Sequence, residues 1–164
     1  MDRTYRAEAI VLRRVSTGET DRVLTLFCRS KGKLGAIAKG ARGPRSRLGG
    51  GTEPFARIDA LLAVGQSLDV LSQAEVKESH SAIRADLLRI AYASYFLEVV
   101  DTGLEERQPA PGLYRLLSAS LKALEEASSP DMLARGFEYH ALSQLGYEPA
   151  TDQCANDGAE LGPG

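Results

Sequence analysis

Near residue 80 the apolar residues of this 164-residue chain stop alternating and begin to recur at helical spacing. Alternation with period two belongs to strands with one inner and one outer face, and a period near 3.6 belongs to helices. A chain that switches once and never switches back cannot build the interleaved strand–helix units of a parallel sheet. It joins an all-strand part to an all-helix part.

The strand half divides at turn residues. Residues 6–15 (RAEAIVLRRV) lean to strand through Ile10, Val11 and Leu12. Residues 22–28 (RVLTLFC) are apolar on both faces except at Thr25, as in a central buried strand. Residues 32–39 follow, thin in side-chain volume. Residues 55–62 put Ala56, Ile58, Ala60 and Leu62 on one face, with Arg57 and Asp59 on the other. Residues 68–76 complete the set after a turn at Gly65. Five strands without intervening helices predict a small antiparallel barrel. Between the third and fourth strands lies KGARGPRSRLGGG (39–51), which has no periodic face and reads as a flexible loop over the barrel's rim.

In the helical half, Ile83, Leu87, Ile90, Ala91 and Leu97 form one stripe, and Leu88, Tyr92, Tyr95, Phe96 and Val99 a second. A helix apolar on two sides predicts the buried centre of a bundle, ended by Gly103. Leu113, Leu116, Leu117, Leu121 and Leu124 mark an amphipathic second helix. Ser129 as N-cap, Pro130 in the first turn and Asp131 at the positive dipole end start a third. It carries Leu133, Phe137, Ala141 and Leu145 and stops at Gly146. The expected organisation is an α+β chain: a barrel over 1–79, a helical bundle over 80–146, and a tail over 147–164.

Charge is divided along the same boundary. Residues 1–80 carry 14 Lys and Arg against 9 Asp and Glu, whereas residues 81–164 carry 6 against 13. From Arg22 to Thr52 there are eight basic residues and no acidic one. Such a split suggests two sub-structures with different partners. Two cysteines, Cys28 and Cys154, make no disulfide framework, and no apolar leader follows Met1-Asp2-Arg3. The expectation is a cytoplasmic chain with no membrane association.

Catalytic patterns are missing: there is no GxSxG, HExxH or Walker loop. His80 and His140 read as surface or satisfied helix histidines, and Cys28 as a small core residue. Glu19 and Asp21 form a pair that can hold magnesium, or serve simply as a solvated turn beside Arg22. The glycine-rich loop is the positive signal. Lys39, Arg42, Arg45 and Arg47 present cations beside bare backbone N–H groups, a combination suited to phosphate oxygens. Arg13, Arg14, Arg22, Lys31 and Lys33 are candidate supporting contacts. The barrel half holds only three aromatics, Tyr5, Phe27 and Phe55, too few for the usual base-stacking platforms. Phosphate contacts should dominate, with weak sequence preference and strong salt dependence.

EAIVLRR (8–14), GETDRVLTLF (18–27) and GKLGAIAKGARGPRSRLGG (32–50) resemble the N-terminal domain of the RecO family of bacterial recombination mediators. AYASYFLEVVD (91–101) and LGYEPATDQC (145–154) are similar to the family's later regions. The resemblance implies an N-terminal OB-fold, a helical domain and non-enzymatic work in DNA repair at the nucleoid. It implies binding of single- and double-stranded DNA, annealing of complementary strands, and help to RecR in placing RecA on DNA coated by single-strand-binding protein. It also implies a groove for the acidic, hydrophobic tail of that coating protein, for which Arg84, Arg89, Arg107, Arg115, Lys122 and Arg135 are candidates. In many relatives the position of Cys154 opens the first of two C-x-x-C pairs of a zinc site. Here Asp157 stands second and the sequence ends at Gly164. No cofactor is expected to be required, and a structural zinc is an expectation for a longer form of a truncated protein. Three other classes fit the residues without the resemblance: an RNA-binding OB module of the translation machinery, a magnesium-dependent nuclease using Glu19 and Asp21, and an interaction scaffold.

Overall fold

The computed structural model describes residues 3–162. The outermost two positions at each end, with which the predicted barrel range opens and the predicted tail closes, lie outside the described residues. Five strands come first: β1 (Thr4–Thr17), β2 (Asp21–Cys28), β3 (Gly32–Ala38), β4 (Arg57–Ala63) and β5 (Asp69–Glu78). Their order, β1-β2-β3-β5-β4, closes on itself through β4 and β1. This is the OB-type arrangement that the spacing and the resemblance led us to expect, with one correction. β3 and β5 run parallel, through Ala36–Asp69 and Ile37–Val70. A ring with an odd number of strands cannot alternate direction all the way round, so one neighbouring pair must be parallel. Closure depends on β1, whose first half pairs with β4 and whose second half pairs with β2. An irregularity between Val11 and Arg13 bends it between the two partners.

Alternation on β1 explains how barrel and helices join. Ala7, Ala9 and Val11 point into the barrel with Leu24, Leu26, Leu34, Ile58 and Leu62. Ile10 and Leu12 point outward, where they meet Phe27 and the helices in a second core. The two-faced apolarity of β2 has the same origin: Leu24, Leu26 and Cys28 fill the barrel, while Phe27 packs edge-on against Tyr114 at 5.4 Å. The helical half therefore shares its core with the barrel's outer face. The charge split marks two surfaces and not two separately packed bodies.

The helices are α1 (Ser81–Arg84), α2 (Leu87–Gly103), α3 (Pro111–Glu126) and α4 (Pro130–Gln144). The single helix expected from residue 80 is broken at Ala85–Asp86. The Asp86 carboxylate accepts the N–H groups of Leu88 and Arg89, and so caps α2 as a new start. Only one side of α2 is core: Ala93, Phe96, Leu97 and Val100 are buried, while Leu87, Leu88 and Tyr95 are exposed. Both predicted stripes thus face outward in part, the first at Leu87 and Ala91, the second at Leu88 and Tyr95. On α3 the predicted face is borne out by buried Leu113, Leu117, Leu121 and Leu124. At α4, Ser129 sits at the N-cap position but its hydroxyl donates to Asp131, 2.8 Å away, and not to the backbone. His80 is buried with a left-handed backbone, its ring between Glu125 (3.1 Å) and Glu78 (3.7 Å). His140 is exposed on α4.

Candidate nucleic-acid interface

Residues 39–49 leave β3 through Gly40, whose φ of +65° suits glycine. Two three-residue turns follow: the Gly43 N–H donates to Gly40 O and the Ser46 N–H to Gly43 O, each at 3.0 Å. A short 3₁₀ turn at Gly50–Thr52 ends the segment. The segment is fastened to the β1–β2 turn. Asp21 Oδ1 accepts the Gly40 N–H at 2.8 Å, and Thr20 O accepts the Arg42 N–H at 2.8 Å. Ala41 is buried and Leu48 packs on the barrel core, so the loop is a wound strap and not the flexible segment expected. Gly51 must be glycine for space, since a Cβ there would lie 2.4 Å from that of Ala74. Asp21, one of the two candidate magnesium ligands, is thus spent on anchoring the strap.

The strap's turns repeat every three residues, and Lys39, Arg42 and Arg45 fall at that spacing. These three and Arg47 are exposed, and none has a carboxylate partner among the described residues. The supporting cations separate from them. Arg22 is nearly buried, bonded to the Thr52 hydroxyl and to Glu53 at 3.1 Å. Arg14 pairs with the same Glu53, and Arg13 with Asp101 of α2. Lys33 reaches that Asp101 at 3.3 Å and also donates to its carbonyl oxygen. These four cations tie strap, barrel and α2 together, and the acids that hold them lie outside the acid-free run. Only distance in space reveals that neutralisation. Lys31 stays exposed, 5.4 Å over the Tyr5 ring.

The barrel's three aromatics are engaged in the fold. Phe27 is wholly buried and Phe55 is 6% exposed, so neither presents a face to a base. The Tyr5 hydroxyl donates to Asp69 and its ring lies beneath Lys31. Burial, that bond and the carboxylate's charge all push the Tyr5 hydroxyl's pKa upward. Burial opposes ionisation of Asp69, yet the bonds from Tyr5, Gly65 and Arg107 outweigh it and hold the carboxyl below its ordinary value. In the barrel interior, burial pushes the Cys28 thiol up to about 12, which fits the small core residue expected from the sequence.

Among the helical cations, three are committed to the fold. Arg84 donates to Pro54 O and lies 5.4 Å over Phe55. Arg89 donates to the carbonyls of Leu124 and Ala127 at the end of α3. Arg107 pairs with Asp69 at 3.0 Å. Arg135 forms an exposed pair with Glu138, and Arg115 and Lys122 have no acidic partner among the described residues.

Around Cys154 the tail makes a tight turn, with the Gly158 N–H donating to Cys154 O at 2.9 Å. Cys154 and Asp157 offer one thiolate and one carboxylate, half of the four donors a structural zinc takes. Nowhere among the described residues do three His, Cys, Asp or Glu side chains converge as a metal site. The residues present do not fit a zinc ion, and nothing below depends on one. No helix of the described residues is long and apolar enough to cross a membrane.

Residues 1–80 match the family model described as "Recombination protein O N terminal", and residues 84–164 match "Recombination protein O C terminal". The chain is 41% identical over 157 residues to a DNA repair protein RecO of Symbiobacterium thermophilum, covering 95% of this chain and 62% of that relative. To the same-named protein of Bacillus pumilus it is 40% identical, over 96% of this chain and 61% of the relative. To that of Synechococcus elongatus it is 42% identical, over 94% and 59%. The chain spans about three fifths of the length of these relatives. With both family models matched in order on an OB-type barrel and its helices, the chain belongs to the RecO family of DNA repair proteins.

Proposed function

We propose that this chain binds DNA without base selectivity and acts as a non-enzymatic recombination mediator, holding strands by their phosphates so that complementary bases stay free to pair. The observation that carries the reading is the pairing of four cations without carboxylate partners on a fastened strap with a barrel that buries Phe27 and Phe55 and covers the Tyr5 ring with Lys31. Stacking would bury the Watson–Crick edges that annealing needs; backbone contacts position a strand and leave those edges exposed. In this reading the chain binds single- and double-stranded DNA at the nucleoid, requires no cofactor, and helps RecR place RecA on DNA coated by single-strand-binding protein.

Docking of that protein's acidic, hydrophobic tail belongs to the same proposal. Arg135 is the helical cation that suits it best. It is 73% exposed on α4, with exposed Met132 one turn before it and Tyr139 one turn after. Exposed Tyr95 of α2 bonds to the same Glu138.

The test is annealing of complementary oligonucleotides, one of them coated with single-strand-binding protein, by the full chain and by a variant with Lys39, Arg42, Arg45 and Arg47 changed to Gln. The variant should fold normally and lose most binding and annealing. Stronger binding of structured RNA than of single-stranded DNA would favour an RNA-binding module instead. Shortened DNA after incubation with magnesium would refute the non-enzymatic reading.

A further inference from the structure

Arg22 is the second residue of β2 and Arg29 directly follows the strand, seven residues or roughly 23 Å apart at ~3.3 Å per residue. The strap is fastened at the Arg22 end, so the acid-free run of the sequence is divided in space. At the other end lies a cleft of about 470 Å³ lined by Arg3, Thr4, Tyr5, Lys31, Val64 and Arg107. Its three cations come from three separate segments: the start of β1, the β2–β3 turn, and the connector between α2 and α3. One buried carboxylate, Asp69, stands behind them and is answered by Arg107 and Tyr5. Arg3 and Lys31 have no carboxylate partner among the described residues.

The connector is built onto this end of the barrel. Gly32, at φ +71°, has no room for a side chain: a Cβ would stand 2.1 Å from Gln108 O. The Arg107 N–H donates to Lys33 O at 2.7 Å, and Arg107 itself holds a left-handed backbone, φ +58°, which non-glycine residues rarely adopt. These contacts hold a guanidinium at the mouth, bonded to Asp69 and beside Tyr5. Lys31 is steadied over the Tyr5 ring. Three cations and no carboxylate line the cleft itself, and the one carboxylate behind it, Asp69, is buried and already bonded.

We infer that this cleft is a second phosphate-binding site, separate from the strap, which takes the backbone of a second nucleic-acid strand. The inference rests on the reading of the strap as a nucleic-acid site, because it assigns the other strand of the same reaction. Two strands held at opposite ends of one barrel are brought together without competing for the same cations.

The experiment uses the full chain and two non-complementary 10-nucleotide strands with different dyes, so that base pairing cannot recruit the second. The two strands are mixed in equal amounts with the chain, and energy transfer between their dyes reports the ternary complex. The expected result is a ternary complex that Arg3→Gln with Lys31→Gln weakens by about five- to tenfold, with the affinity for one strand alone held within about twofold. Inorganic phosphate at high concentration should break the ternary complex before it strips a strand bound alone, which places a phosphate group in the cleft. Equal loss of the ternary and the one-strand complex in the double variant, or a ternary complex it does not weaken, refutes the second site alone. A wild-type chain that binds neither strand refutes the strap reading and this site together. Arg107 is left intact because its removal would leave Asp69 buried and unpaired; unchanged thermal unfolding of the double variant confirms that its effect is on binding.

Discussion

Phe27→Ala should unfold barrel and helices together. Phe27 is fully buried on the outer face of β2, in the core that also holds Ile10, Leu12, Leu113, Tyr114 and Leu117. Truncating a buried phenylalanine costs about 3–5 kcal/mol, of which the edge contact with Tyr114 accounts for roughly 0.5–1.5. At roughly 2–4 °C per kcal/mol for a chain of this size, the midpoint should fall by about 6–20 °C. The assay uses probes that report the two halves separately. Helix circular dichroism follows α2, α3 and α4, which hold most of the helix. Thiol labelling of Cys28, buried inside the barrel, follows the other half in a Cys154→Ser background. Because Phe27 belongs to both halves, the two traces should coincide in the wild type and move by the same amount in the variant. Helices that melt first while Cys28 stays protected would show two independently stable bodies, and would refute the shared core as the source of stability.

Short single strands should bind with a log–log salt slope of roughly −3, from four strap cations at ~0.7 each. Arg45→Gln should flatten that slope by about 0.7 at constant unfolding midpoint, whereas Arg22→Gln should lower the midpoint and leave the slope unchanged. Asp69→Asn should cost about 1–3 kcal/mol by removing an acceptor of Arg107 and Tyr5. Since the folded-state pKa of Asp69 lies below its ordinary 3.8, its contribution is present above that value and lost as pH falls through the lower one. Urea midpoints between pH 3 and 6 should accordingly fall less steeply with acid in the variant. At pH 8, thiol reagents should label Cys154 and not Cys28, whose thiol is buried and neutral, giving one label per native chain and two after unfolding. Gly32→Ala should destabilise the chain more than Gly40→Ala. Both glycines are left-handed, but only Gly32 has backbone against its missing side chain.

Much of the fold was legible because strand and helix periods are local properties. Ala56, Ile58, Ala60 and Leu62 alternate in sequence and lie buried in the barrel. Closure was legible in number and not in direction: the spacing counts five strands, and only the geometry of an odd ring makes one neighbouring pair parallel. The break in the first helix carried a local signal that the apolar stripes obscured. Asp86 stands immediately before Leu87-Leu88-Arg89, where a carboxylate caps a new helix well. The strap's burial was hidden for a different reason. Ala41 and Leu48 are single apolar residues among glycines and cations, with no period to announce an inner side.

Composition singles out the cations of the candidate site, but their ion pairs show only in space. Freedom from acids along the sequence does not free a cation in space: Glu53 takes Arg14 and Arg22, and Asp101 takes Arg13 and Lys33. All four sit on strands, where neighbouring elements can reach them. Lys39, Arg42, Arg45 and Arg47, none with a carboxylate partner among the described residues, sit on a strap fastened chiefly through its backbone. In the proposed reading, where a phosphate chain is held without being read, that division is physically reasonable. Cations used to join barrel to helix lie beside carboxylates and would pay desolvation twice to meet DNA, first by leaving one partner and then by gaining another. The strap's backbone is already ordered in the free protein, so binding has only the cations' side chains left to order.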